Sequence, residues 1–159
     1  MGETRIAAGG VMHVSGLCLV GVMSAPDRPG LVAAIFNELG RERLNAQFIV
    51  QSIDLNNDSH VQFCVDAEDC GHVTRSMQTV ASELGARKVT VTNNVALISV
   101  YGPDFRQRPG IAGLAFGALA ATGINIIAVS TSISTISCVI SAKDEEAALH
   151  TWQDIFSLR

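Results

Sequence analysis

Hydrophobic positions along this chain change their period in a regular order, and the order predicts the elements. Leu17 to Met23 and Val95 to Tyr101 are nearly unbroken apolar runs, short and rich in Val, Leu and Ile, and both predict buried strands. After the first run the period lengthens. From Leu31 to about Arg43, Leu31, Ala34, Ile35 and Leu39 share one helical face, while Glu38, Arg41 and Glu42 lie on the other. Two strands are predicted next, at about Ala46 to Leu55 and His60 to Val65. The Asn56-Asn57-Asp58-Ser59 segment between them favours a tight turn, so the pair reads as a hairpin. From about Gly71 to Leu84, Val73, Met77, Val80 and Leu84 recur at spacings of four, three and four, and Gly85 ends this helix before a strand from Arg87 to Thr92. The order is βαββαβ.

The chain then repeats itself. A shift of 80 superposes Arg28-Pro29-Gly30 on Arg108-Pro109-Gly110, Phe36 on Phe116, Leu39 on Leu119, Asn45 on Asn125 and Ser52 on Ser132. The second copy predicts a strand at 95–101, a helix at 110–122, strands at 125–131 and 135–141, and a helix at 144–157. It has no closing strand, and a sheet so built exposes an edge. Val11 to Ser15 is a strand-like segment that the first copy does not need. We expect it to complete the second sheet, which makes the fold class α+β: two ferredoxin-like βαββαβ domains in tandem, the first (17–94) inserted into the second (8–16 plus 95–159).

Composition narrows the function classes. With 48% apolar and 16% charged residues and a mean hydropathy of +0.31, the 159-residue chain can bury a core and is not a disordered protein. A net charge of -4, one Trp and one Tyr supply neither the basic field nor the stacking platforms of a nucleic-acid binder. Four cysteines without a CxxC pair do not suggest a disulfide scaffold and fit a reducing cytoplasm. The N-terminus lacks the pattern of a secretory signal, so the mature chain is expected to start near Met1. Residues 109–142 carry no charge and include Gly113 and Gly117 at GxxxG spacing. Gly123 and Asn125 interrupt that stretch after about three helical turns, and the Ser, Thr, Ile and Val that follow favour strands over a membrane span.

The Asp27 to Leu31 loop has the chemistry of a carboxylate site. Unsatisfied N–H groups and the positive dipole end of a helix favour an anion there, and an amino acid's α-carboxylate fits. Asp27 then takes the α-ammonium group or caps the loop, whereas its counterpart Gln107 carries no charge. The plainer alternative is that Pro29 and Gly30 only make the turn. Asn45 and Asn125 precede strands, where an amide serves a turn or a ligand. Gln51 and Ser52 sit among apolar strand residues and need a partner, either an effector or a neighbouring strand. Cys70 and His72, with Cys64 near, make a metal site conceivable, but their spacing matches no four-ligand pattern and Cys64 reads as a core residue. No nucleophile, base and orienting group occur together, no phosphate-binding GxxxxGK[ST] loop is present, and no cofactor is expected.

A βαββαβ unit with Asp27-Arg28-Pro29-Gly30 after its first strand resembles the ACT domain. Ile35-Phe36, Ile49-Val50-Gln51, Pro109-Gly110-Ile111-Ala112, Gly123-Ile124-Asn125-Ile126 and Val129-Ser130-Thr131-Ser132 extend this, and together resemble the regulatory region of aspartate kinases over roughly residues 11–158. The resemblance implies a tandem ACT pair that binds an amino-acid end product, threonine or lysine, at ACT-domain interfaces for feedback control. It tips the first-copy loop from turn to effector site. The implied contacts are Asp27, Arg28, Pro29, Gly30, Leu31, Asn45, Ala46, Gln51 and Ser52 in the first copy. In the second they are Gln107, Pro109, Gly110, Ile111, Asn125 and Ile126. Where the family commonly has Glu and Lys, this chain has Ile133 and Thr135, so an acidic partner is lost and lysine is expected to bind more weakly than threonine. The family's kinase domain is absent, which makes the chain a regulatory subunit or a fragment, not itself an enzyme, with an aspartate kinase catalytic subunit as a possible partner. Helix 110–122 has no charged face, and a homodimer is expected to cover it. The alternative from another class is a small ferredoxin-like enzyme or metal-binding protein that uses Cys70 and His72.

Overall fold

The computed structural model describes residues 5–158; Arg159, placed above in the second domain, lies outside them. The elements in order are β1 (Ile6–Ala8), β2 (Gly10–Pro26), α1 (Leu31–Arg41), β3 (Gln47–Ile53), β4 (Asp58–Asp66), α2 (Cys70–Leu84), β5 (Lys88–Tyr101), α3 (Ile111–Ala121), β6 (Ile126–Thr131), β7 (Thr135–Ser141), α4 (Glu145–Ile155) and β8 (Phe156–Leu158). The chain divides into two compact units. One is Gly16–Asn94, and the other takes the residues up to Ser15 with those from Val95 onward. Each has the α+β, ferredoxin-like arrangement of strands under two helices.

In the Gly16–Asn94 unit the strand order is β3-β4-β2-β5. β2 and β4 pair antiparallel from Leu17 opposite Asp66 to Pro26 opposite Asp58, and β3 pairs with β4 from Gln47 to Ile53. Strand alternation sends Cys18, Val20 and Val22 of β2 and Val61, Phe63 and Val65 of β4 into one core. Helical spacing brings Leu31, Ile35 and Leu39 of α1 and Val73, Met77, Val80 and Leu84 of α2 onto it. Burying each of these larger side chains contributes about 1.5–3 kcal/mol, and Phe36 meets Phe63 edge-on at 5.4 Å.

The other unit repeats the plan with β5 and β7 paired antiparallel from Val95 opposite Ser141 to Tyr101 opposite Thr135, and β6 on the far side of β7. Its core gathers Ala96, Ile98 and Val100 of β5, Ile111, Ala115 and Leu119 of α3, and Ala148 and Trp152 of α4. The buried Trp152 Nε1–H donates to the Ala115 carbonyl at 3.0 Å, which fixes α4 against α3.

Three features depart from the sequence expectation. β2 and β5 are single strands of 17 and 14 residues, where separate segments were expected on either side of residues 16 and 93–94. Gly16 (φ 68°) and Asn94 (φ 54°) adopt the left-handed region inside these strands, so the chain bends without leaving the strand. α4 stops at Ile155, not 157. Phe156–Leu158 pairs parallel with Ile6–Ala8 instead, and Phe156, 1% exposed, packs on Phe105 and Trp152. Finally, Cys18 and Cys70 are joined by a disulfide, while Cys64 and Cys138 remain buried thiols. No helix among the described residues is long and apolar enough to cross a membrane.

Candidate functional site

The two Pro-Gly loops enter their helices in the same way. Gly30 (φ 89°) precedes α1 and Gly110 (φ 88°) precedes α3, both in the left-handed region that favours glycine. Each glycine carbonyl accepts the first helical bond, from Ala34 N–H at 2.9 Å or Leu114 N–H at 3.0 Å. In α1 the Leu31 N–H donates to Arg28 O at 3.3 Å; the remaining first-turn donors lie at the positive end of each helix without a helical partner.

At the start of α3 those donors open onto a cavity of about 220 Å³ lined by Phe105, Arg108, Gly110, Ile111, Ala112, Thr131, Ser132, Ile133 and Ile136. Phe105 comes from a 3-10 turn, Phe105–Gln107, and lies so close to Gly102 that a Cβ there would clash with the ring. Ser132 N–H donates to Thr135 O at 2.9 Å, closing the β6–β7 turn and leaving Ile133 70% exposed at its tip. Arg108 is the only charged side chain in the lining. The cavity therefore offers one cation, helix N–H groups, two hydroxyls and an apolar wall, a set suited to a small carboxylate with a short uncharged side chain.

The structure brings Gly110 and Ile111 to this cavity, but it separates Asn125 from them. Asn125 lies beyond the other end of α3, with Gly123, Ile127, Ser141, Lys143 and Asp144 around a second cavity of about 290 Å³. Ile126 is half-buried against the core. Gln107 and Pro109 are exposed beside the first cavity. Arg108, Phe105, Thr131 and Ile136 were not singled out as site residues. The repeat aligned Arg108 with Arg28, and Thr131 stood in a quoted motif, so a signal for both was present.

In the Gly16–Asn94 unit, Asp27, Arg28, Pro29 and Gly30 are exposed and Leu31 is buried under the helix. Asp27 N–H donates to Asn57 O at 3.1 Å, tying the loop to the β3–β4 turn. That turn is braced in its own right. His60 Nδ1 accepts from Ser24 N–H at 3.1 Å, so Nε2 carries the proton and donates to Asp54 Oδ2 at 2.9 Å. The His60 bond, then the Asp58 and Asn56 N–H groups, hold the Asp54 carboxyl below its usual range. Gln51 Nε2 donates to the buried Ser59 Oγ at 2.9 Å, so a neighbouring strand satisfies it. Ser52 and Asn45 are exposed, and Ala46 packs on the core.

The proposed metal grouping is not assembled. Cys70 Sγ is bonded to Cys18, and His72 Nε2 lies 2.8 Å from Glu42, the residue that caps α1. Burial pushes the Cys64 and Cys138 thiols up to about 12, which suits inert core positions.

Residues 98–156 match the ACT domain family. The chain is 31% identical over 137 residues to an aspartate kinase of Stutzerimonas stutzeri, covering 86% of this chain and 33% of that protein. It is 30% identical over 151 residues to an aspartokinase of Helicobacter pylori, covering 91% and 37%. The regulatory subunit of aspartate kinase from Thermus thermophilus superposes with a TM-score of 0.83 at 26% identity, covering 95% of this chain and 99% of that one. Residues 98–156 are thus of the ACT class, and the chain as a whole has the fold of an aspartate kinase regulatory subunit. The chain is similar to the regulatory part of aspartate kinases and spans about a third of the length of the curated relatives it matches, and no kinase catalytic domain lies among the described residues.

Proposed function

We propose that this chain is the allosteric regulatory module of an aspartate kinase, and that it binds an amino-acid end product for feedback control. In this reading it carries two ACT domains, 17–94 and 8–16 plus 95–159, the first inserted into the second. The two compact units and the repeated Pro-Gly helix entries support that division.

The observation that carries the functional reading is the cavity at the start of α3. The α-carboxylate sits on the Ile111 and Ala112 N–H groups beside Arg108, and the side chain points to Phe105, Ile133 and Ile136. No carboxylate lines the cavity to meet a side-chain ammonium group, which favours threonine over lysine. A second copy of the chain completes the site by covering α3, whose exposed face holds Gly113, Leu114, Gly117 and Ala121. Asp27 to Leu31 form the weaker, more open counterpart. Titration calorimetry with threonine and lysine tests the reading: threonine binds with the higher affinity, and failure of both to bind overturns it.

A further inference from the structure

Cys18 and Cys70 take no part in the amino-acid site, and they sit where the duplicated fold needs no covalent bond. Cys18 lies on β2 opposite Val65 of β4 and is 1% exposed; Cys70 is the first residue of α2 and is 9% exposed. Their Cα atoms are 6.3 Å apart, within the reach of a disulfide. In the other unit the pairing of Ala96 with Ile140 matches that of Cys18 with Val65, and Glu145 opens α4 as Cys70 opens α2. There the first helical residue is held without covalent chemistry. Ser15 Oγ–H donates to Glu145, with its oxygens at 2.6 and 2.8 Å, and His13 Nδ1 lies 2.6 Å from Oε1. Cys70 has a similar partner in reserve. Asn93 Oδ1, on β5, lies 3.8 Å from Cys70 Sγ and accepts an S–H once the sulfur is a thiol. Both oxidation states thus have a place in the same fold.

We propose that Cys18 and Cys70 form a reversible thiol–disulfide modification site confined to the Gly16–Asn94 unit, oxidised and reduced by exchange with a dithiol–disulfide reagent. The Cys70 thiolate attacks one sulfur of the reagent disulfide and releases the other as a thiolate. Cys18, its proton lost to solvent, then attacks Cys70 Sγ and releases the second reagent sulfur. The two thiols give up two protons and two electrons, and the reagent's S–S bond takes them up. The N-terminus of α2 favours the Cys70 thiolate, whereas the exposed Asp66 and Glu68 and the half-buried Asp69 oppose it and repel anionic reagents. An uncharged dithiol is therefore the faster reagent. Oxidation pins the first turn of α2 to β2, and α2 in turn meets the C-terminal end of α1 through Ser76 Oγ–H, which donates to the capping Glu42 at 2.9 Å. The proposal is independent of which ligand the protein binds.

The test equilibrates the whole protein in mixtures of dithiothreitol and its cyclic disulfide, then acid-quenches, unfolds, alkylates and weighs it. Two alkylated cysteines are expected at the oxidised end and four at the reduced end, joined by one two-electron transition that peptide mapping assigns to Cys18 and Cys70. The oxidised protein unfolds at a higher temperature, by about 10 °C. Cys70→Ser abolishes the transition, and Cys138→Ser keeps it. If Cys18→Ser fails to fold, the Cys70→Ser result stands on its own. Four thiols at every ratio, a transition mapped to another pair, or a bond that survives excess dithiothreitol in the folded protein overturns the proposal.

Discussion

At the scale of single residues, the proposed amino-acid site depends on a few positions whose backbone or charge cannot be exchanged. Gly110→Asp puts a Cβ and a negative charge where the carboxylate approaches, in a left-handed conformation that costs an L-residue about 1–2 kcal/mol. We expect amino-acid binding at the α3 site to be lost while the protein stays folded, with a lowered unfolding midpoint; unchanged affinity in calorimetry would remove the loop from the site. Gly30→Asp carries the same strain, since Gly30 has φ 89°. Arg108→Gln should weaken threonine binding about tenfold or more by removing the only cation in the lining. Titration also leaves a trace. Hydrogen bonds from Ser15, then His13, lower the Glu145 carboxyl in the folded state from an ordinary 4.5. Its contribution is complete above that value and is lost as pH falls through the lower folded value. Glu145→Gln should flatten the acid limb of a stability-against-pH curve, by about 1 kcal/mol or less because the pair is near the surface. An unchanged limb would assign the acid sensitivity elsewhere.

At the scale of elements, α3 is the outlier. α1 has an ordinary solvent face with Arg41 on Glu38 at 2.6 Å, whereas α3 exposes Leu114, at 52%, among small residues. Its inner face is held by Trp152, so Trp152→Phe removes the bond to the Ala115 carbonyl and leaves space in a closed core. A loss of about 2–3 kcal/mol is expected in denaturant unfolding followed by circular dichroism; a loss below about 0.5 kcal/mol would mean that the α3–α4 contact is not a main support. The hairpins were legible from turn residues and alternation, because both signals are local. The β1–β8 pair was not, because three-residue strands carry no period and their pairing joins residues 150 positions apart.

At the scale of the whole molecule, the proposed dimer and the proposed insertion are separate questions. Ala118→Glu with Ala121→Arg places charge on the outer side of α3 and should shift light-scattering mass from dimer toward monomer with both cores intact. A monomeric parent at micromolar concentration would show the interface to be misplaced. The Gly16–Asn94 unit has its own core, built from α1, α2, β2 and β4. Residues 16–94 expressed alone should unfold cooperatively, and a non-cooperative thermal transition would contradict an inserted domain.

Much of this protein follows from its sequence taken alone. The apolar periods set out βαββαβ, the shift of 80 exposed the duplication, and the Pro-Gly motif marked the helix entries, because each of these is written in neighbours along the chain. Tertiary structure decided the rest. It satisfied Gln51 with Ser59 and placed Asn125 at the far end of α3 from Gly110. It also converted Cys70 from a candidate metal ligand into the partner of Cys18, 52 residues away. Such outcomes turn on which strand lies beside which and how far a side chain reaches across the sheet. Only the folded chain sets those distances.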